Sequence, residues 1–122
     1  MDYDYIKNIL KQILDSYTKL KENRDYPGDL ESIKKELGKI EGEVKVLVNK
    51  IEKSGNYSDS YSELLTAARS YLRDNNFYTE IDRIAQLYSE DFFRIRNIRL
   101  TILNALEESK LISKTIRLLE VL

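Results

Sequence analysis

The chain has 122 residues, of which 42% are apolar and 34% charged, with a net charge of −1, one proline and four glycines. This length can bury its own core, the apolar content excludes a disordered chain, and the near-zero charge excludes attraction to nucleic acid or membrane by bulk electrostatics. The chain has no Cys and no His, which excludes disulfides, thiolate or imidazole metal ligands and the commonest catalytic base.

Two amphipathic helices are predicted in the first half of the chain. From Tyr5 to about Glu22, apolar residues recur at spacings of three and four, which places them on one helix face. Pro27-Gly28 ends this helix, and Asp29 is the expected N-cap of the next. The second helix has an alternating three-and-four repeat, typical of an antiparallel hairpin or a coiled-coil seam. Its apolar seam consists of Leu30, Ile33, Leu37, Ile40, Val44, Leu47 and Ile51.

Gly38 and Gly42 form a Gly-x-x-x-Gly pattern inside the second helix, where each glycine costs about 1 kcal/mol of helix propensity. Such a pair can allow a close approach of another helix or of a partner. The alternative is that two exposed glycines are merely tolerated. The polar neighbours Lys39 and Glu41 favour this second interpretation.

A third helix is predicted after a polar loop that runs from Ser54-Gly55 to Asp59. Ser60 and Glu63 have the spacing of a capping box, in which each side chain binds a free backbone N–H at the helix start. Asp74-Asn75-Asn76 predicts a short break. The apolar face of this helix consists of Tyr61, Leu64, Leu65, Ala68 and Leu72.

A long helical stretch begins at Phe77, and Asp91 falls on its apolar seam. Either the helix breaks near Ser89, which would then cap a new helix, or a carboxylate faces the interior and needs a cation such as Arg94 or Arg69. We favour the break because an unpaired buried carboxylate is costly. After the break, the inward face is predicted to consist of Ile95, Ile98, Ile102 and Ala105. A last helix is predicted over 110–122, with Ile112, Ile116 and Leu119 facing inward.

These elements predict an all-α fold, an antiparallel bundle of four to six helices with short connections, forming one domain over residues 1–122. No apolar run approaches the length of a membrane span, and the acidic start lacks the apolar core of a signal peptide, so we expect a cytoplasmic protein without membrane partners. The scarcity of Cys and Met and the abundance of Lys, Glu, Ile and Tyr also suit a thermophile.

Catalytic machinery is not evident in the sequence. The carboxylate pairs Glu41/Glu43 and Glu80/Asp82 are two residues apart and would point away from each other on a helix. The four glycines are scattered and form no phosphate-binding loop. We therefore expect a protein that is not an enzyme, with no catalytic residues, no cofactor and no metal site.

Arginine and aromatic residues concentrate in the second half of the chain, and three arginines but no acid occur between Phe92 and Leu106. This composition is typical of protein–protein hot spots and of platforms for single-stranded nucleic acid. The alternative is intramolecular ion pairs on a helix surface. Because Arg96 and Arg99 lie three apart, we expect them on one exposed strip, with Arg94 displaced to another side. The predicted partner-binding residues are Phe92, Phe93, Arg94, Arg96 and Arg99.

The stretch from Asp91 to Leu106 resembles the long helix of GINS subunits, the accessory factors of the replicative helicase, in which an Arg-x-x-Lys-Ile-like element precedes small and apolar residues. Arg96 and Arg99-Leu100 occupy that element here, with Arg99 in place of Lys. The segment Asp25-Tyr26-Pro27-Gly28-Asp29-Leu30 resembles the family's Pro-containing turn. Two features depart from the family: Leu30-Glu31 replaces its usual aromatic pair, and nothing corresponds to its small β-rich domain.

The resemblance implies a non-catalytic, archaeal-type subunit of a DNA-replication complex. Such a subunit would join an oligomer or hetero-complex of homologous subunits and would bridge the MCM helicase to other replisome proteins. Two alternatives remain open at the level of sequence. One is a small helical subunit that binds nucleic acid, as in CRISPR effectors, and the other is a viral or host helical adaptor.

Overall fold

The computed structural model describes residues 3–55 and 58–122, which form six α-helices and, within these two ranges, no strand. The all-α prediction is therefore confirmed, and the connections 75–77, 88–91 and 109–110 are short, as expected. In chain order the helices are α1 (Tyr3–Glu22), α2 (Asp29–Ser54), α3 (Asp59–Asp74), α4 (Tyr78–Leu87), α5 (Phe92–Glu108) and α6 (Leu111–Val121).

The first two helices form the hairpin at the centre of the fold. All seven residues of the α2 seam are buried, together with five apolar residues of α1. At the end of the hairpin that lies far from the α1–α2 loop, the Lys50 ammonium is 4.9 Å from the centre of the Tyr5 ring. The end of α2 therefore lies beside the start of α1. The two helices thus run antiparallel, and the predicted periodicity identified their contact surface.

The remaining helices close the core around this hairpin. Helix α6 packs on α3, α1 and α5, while α4 packs on α2 and α5. Helix α5 contacts α1, α2, α4 and α6, so it crosses most of the bundle. Its inward face is buried at Ile95, Ile98 and Ile102, as predicted, and partly buried at Ala105.

The helical stretch from Phe77 breaks as predicted, but Asp91 caps the new helix in place of Ser89. The Asp91 Oδ1 accepts hydrogen bonds from the backbone N–H groups of Phe93 and Arg94, at 3.1 and 3.2 Å. These are two of the donors that lack a partner at a helix start. The carboxylate that falls on the predicted apolar seam therefore caps the start of α5.

The predicted N-cap of α2 is wrong by one residue. Asp29 is the first residue of the helix, and Gly28 precedes it as the N-cap. The Asp29 Oδ2 accepts from the backbone N–H groups of Arg24 and Tyr26, at 3.2 and 3.0 Å. Its carboxylate thus orders the α1–α2 loop instead of satisfying the helix start.

The capping box predicted for α3 is also wrong. Ser60 lies inside the first turn, and Ser58 takes the N-cap position without a hydrogen bond from its side chain. The Glu63 carboxylate accepts from the Lys114 Nζ of α6 at 3.0 Å instead. The polar loop predicted before this helix includes residues 56 and 57, which lie outside the described residues.

In α6 the apolar pattern predicted one inward residue wrongly. Ile116 is 44% exposed, whereas Leu111, Thr115 and Leu118 are buried. Thr115 lies in the core because its Oγ1 donates to the carbonyl of Leu111 at 2.7 Å, which satisfies the hydroxyl within the helix. Because the buried position is occupied by the polar Thr115, the apolar pattern assigned the inward position to its neighbour Ile116 instead.

The glycine pair of α2 does not mark a close helix contact. A Cβ added at Gly38 would lie 3.6 Å from the Tyr78 Oη, an ordinary contact, and one at Gly42 would meet nothing within 4 Å. The structure thus favours the interpretation that the glycines are tolerated.

No helix in the described part of the chain is long and apolar enough to cross a membrane.

Candidate protein-binding surface

Arg99 does not lie on an exposed strip with Arg96, which corrects the prediction. Its Nε and Nη2 donate to the two carboxylate oxygens of Asp25 at 2.6 and 2.9 Å, and its Nη1 donates to the Leu20 carbonyl at 3.3 Å. The two side chains are only 12% and 4% exposed. Arg99 therefore holds the α1–α2 loop against α5, and its guanidinium is not available to a partner.

The Asp25–Arg99 pair has consequences for backbone and charge. Asp25 has a φ of 65°, a left-handed conformation that costs a non-glycine residue about 1 kcal/mol or more. The hydrogen bonds to Asp25 raise the pKa of the Arg99 guanidinium above its ordinary value. The bidentate, charge-assisted contact offsets the backbone strain and fixes the loop in place.

Arg94 lies at the α4–α5 turn, where it stacks on an aromatic ring. Its guanidinium carbon is 3.7 Å from the centre of the Tyr88 ring, and Arg83 lies 5.9 Å from the same centre. The Arg94 Nε is also 3.4 Å from the Asp91 Oδ2. Because Asp91 and Tyr88 hold it, the Arg94 side chain is preorganised while remaining 41% exposed.

Large apolar side chains flank this turn on both sides and face solvent. Leu87 at the end of α4 is 66% exposed, and Phe93 at the start of α5 is 70% exposed. Phe92 is 41% exposed and meets Phe93 edge to face, with ring centres 5.5 Å apart. We call this surface the α4–α5 corner. Its residues are Leu87, Tyr88, Phe92, Phe93, Arg94 and Arg96.

Arg96 differs from the other arginines near the α4–α5 corner in its lack of an acidic partner among the described residues. It is exposed, and among the residues that the structure describes it forms no ion pair. By contrast, Arg83 has Glu80 at 3.5 Å and Arg94 has Asp91. The corner thus combines exposed aromatic rings with Arg94, which its neighbours position, and with Arg96, which has no ion pair within residues 3–55 and 58–122.

A groove between α4 and α5 adjoins the corner. It has a volume of about 320 Å³, with a floor of apolar side chains that are almost completely buried and a polar rim. The floor consists of Phe77, Ile84 and Ile98, and the rim consists of Glu80, Arg94, Asn97 and Thr101. Arg94 belongs to both the groove and the corner.

Four of the five predicted partner-binding residues therefore lie together at the corner, and Arg99 lies apart from them. Leu87, Tyr88 and the groove were not predicted. Helix α4 ends at Leu87, before the Asp91 cap, and this end exposes the Leu87 side chain. Within residues 3–55 and 58–122, no cluster of three or more acidic side chains could hold a metal ion.

Comparison of the chain with models of protein families, with curated proteins and with solved structures gives no match.

Proposed function

We propose that the chain is a non-catalytic assembly subunit that binds another protein through the α4–α5 corner. The observation that carries this proposal is the exposure of Phe93, Phe92 and Leu87 beside Arg94, which Tyr88 and Asp91 hold in position. Burial of exposed aromatic rings drives protein association, and arginine is enriched at the centres of interfaces.

The corner is suited to recognition because contacts within the chain position the start of α5 and the Arg94 side chain. The Asp91 cap fixes the start of α5, and the stack of Arg94 on Tyr88 reduces the number of side-chain conformations that a partner must select. Binding therefore loses less side-chain entropy than it would with freely rotating arginines. A pair of adjacent phenylalanine rings adds apolar contact area at low entropic cost.

Binding of single-stranded nucleic acid is less well supported. That function needs several cations in one tract, and here Arg99 is paired with Asp25 while Arg94 is close to Asp91. The narrower role, a subunit of a GINS-like replication complex, rests on the sequence resemblance alone and remains a prediction. So do the archaeal and thermophilic origin and the cytoplasmic location.

The proposal is tested by affinity purification of the tagged full chain from its source cells, with wild type compared with Phe93→Ser. Loss of an exposed hot-spot ring weakens binding by about 2 kcal/mol or more, which is about thirtyfold. The expected result is a protein that copurifies stoichiometrically with wild type and is lost with the variant.

Tyr26→Ser is the matched control, because Tyr26 is an aromatic residue that is 58% exposed on the α1–α2 loop. It should retain the partner. Equal recovery of the same proteins with Phe93→Ser and wild type would contradict the proposal. Recovery of nucleic acid that is lost in a salt-dependent way would support the alternative function instead.

A further inference from the structure

We propose that a pocket between the start of α1, the start of α3 and the end of α6 binds a neutral, apolar small molecule, whose carbonyl oxygen accepts a hydrogen bond from the Tyr61 hydroxyl. The pocket has a volume of about 460 Å³. It shares no lining residue with the α4–α5 corner, so this inference is independent of the proposed function. Its lining residues are Tyr3, Ser58, Tyr61, Leu118, Val121 and Leu122.

The Tyr61 hydroxyl is a buried polar group that lacks a partner. The Tyr61 side chain is only 6% exposed, and its oxygen forms no hydrogen bond within residues 3–55 and 58–122. An unpaired buried hydroxyl is unfavourable, and most buried polar groups in proteins do have a partner. Because Tyr61 lines the pocket, a ligand atom bound there can supply the missing partner.

Tyr3 brings a second ring and a second hydroxyl to the same pocket. Its ring centre lies 6.5 Å from that of Tyr61. Burial raises the pKa of Tyr61 above its ordinary value, and the Tyr3 hydroxyl adds to this rise, so the two hydroxyls interact electrostatically. Tyr61 therefore keeps its proton at neutral pH and can donate it to an acceptor. Because Tyr3 is 57% exposed, its side chain can change rotamer to admit a ligand.

The charge and size of the pocket favour a neutral small molecule. Leu118, Val121 and Leu122 form an apolar wall, and none of the six lining side chains carries a charge at neutral pH. An apolar body would lose its contact with water favourably here, whereas an ionic group would lose its hydration without gaining a counter-charge. The volume lies within the roughly 300–1,000 Å³ that small-molecule sites span.

The polar side chains of the pocket favour a carbonyl as the ligand's polar group. All three are hydroxyls, and the Ser58 hydroxyl forms no capping hydrogen bond at the start of α3. Each hydroxyl can donate one hydrogen bond, and a carbonyl oxygen has two lone pairs that accept such bonds. A carbonyl can thus pair with Tyr61 and with one further hydroxyl of the pocket.

The test measures binding of paired neutral probes to the full chain by heteronuclear NMR. Each pair is a ketone and the hydrocarbon in which a methylene group replaces the carbonyl: acetophenone with ethylbenzene, benzylacetone with butylbenzene, and cyclohexyl methyl ketone with ethylcyclohexane. We expect the ketones to shift the backbone amide signals of residues 58–61 and 118–122. Each ketone that binds should do so about three- to tenfold more tightly than its hydrocarbon, the contribution of one neutral hydrogen bond.

Two tyrosine variants separate the hydrogen bond from apolar packing. Tyr61→Phe removes only the unpaired hydroxyl, so it should fold normally and should abolish the advantage of the ketones without weakening the hydrocarbons. Tyr71→Phe is the matched control, because Tyr71 is 1% exposed, its hydroxyl also lacks a partner among the described residues, and it does not line this pocket. It should leave the ketone advantage unchanged. Circular dichroism checks the helix content of both variants.

The inference fails if no ketone shifts the signals of residues 58–61 and 118–122 saturably at millimolar concentration, because the pocket is then not a ligand site. If the hydrocarbons bind as tightly as their ketones, or if Tyr61→Phe preserves the ketone advantage, the Tyr61 hydroxyl does not select the ligand. Equal loss of the advantage in Tyr71→Phe would show that the effect does not arise at this pocket and would also overturn the inference.

Discussion

Arg99 on α5 and Asp25 in the α1–α2 loop, 74 positions apart in the chain, form a bidentate ion pair from which solvent is almost excluded. The hydrogen bonds that the Asn23 and Asp29 side chains accept within this loop join residues two to five positions apart, and Asp25 occupies a left-handed backbone conformation. The pair therefore joins the central hairpin to the helix that carries the candidate binding surface.

The first prediction concerns the stability of this pair. Arg99→Met leaves the Asp25 carboxylate buried without its cation and should reduce the free energy of unfolding by about 3–5 kcal/mol. Arg96→Met removes an exposed arginine from the same helix and should change it by less than about 0.5 kcal/mol. Urea denaturation of both variants is the measurement. Equal, small losses would show that the Arg99 pair contributes little to the fold.

A second prediction concerns the seam of α2. Leu37 and Leu47 are completely buried against the rest of the core, so replacement of either by alanine should cost about 2–5 kcal/mol. Val46, on the same helix but 38% exposed, provides the control, because Val46→Ala should cost less than about 1 kcal/mol. Thermal unfolding measures all three. Losses below about 1 kcal/mol for both leucines would be incompatible with the buried seam.

Gly42 provides a third prediction, of increased stability. It lies in the middle of α2, and a Cβ added there would meet no atom within 4 Å. Gly42→Ala should therefore raise the free energy of unfolding by about 0.5–1 kcal/mol, since alanine has the higher helix propensity. Gly55 has a φ of 70°, and Gly55→Ala should instead destabilise the protein. A loss of stability in Gly42→Ala would contradict the open space beside this residue.

The fourth prediction concerns alkaline pH. Burial, together with a hydrogen bond from its hydroxyl to Glu107, raises the pKa of Tyr17 to about 12 from its ordinary value of 10.0. Because the folded state holds this proton more tightly than the unfolded state, the stabilisation is complete below pH 10 and is lost as the pH rises toward 12. Tyr17→Phe should make the free energy of unfolding less dependent on pH across this window. An unchanged slope would contradict the assigned contact.

The sequence predicted the helices because their apolar spacing is a local property. The α2 seam and the inward face of α5 were predicted correctly from periodicity, and Asp91 marked a helix break because a carboxylate fitted poorly on an apolar face. The environment of Arg99 could not be predicted in this way. At 100° per residue Arg99 lies close to Arg96 on the helical wheel, and only the position of the α1–α2 loop distinguishes a buried arginine from an exposed one.

The sequence predicted most residues of the candidate site but not how the site is arranged in space. Phe92, Phe93, Arg94 and Arg96 were identified from the arginine-rich, acid-free segment, and the structure places them at one corner. The exposure of Leu87 and the groove beside Arg94 depend on the angle at which α4 meets α5. That angle is set by packing against α2 and by the Asp91 cap, which periodicity alone does not specify.

The most direct test of the proposed binding surface is hydrogen–deuterium exchange of the chain, measured with and without the protein that copurifies with it. Binding should slow exchange in peptides covering residues 87–101, because the partner covers the end of α4 and the first half of α5. Peptides covering α3 and α6 should exchange at unchanged rates. Protection confined to α3 and α6, with no change over 87–101, would contradict the proposal that the α4–α5 corner binds the partner.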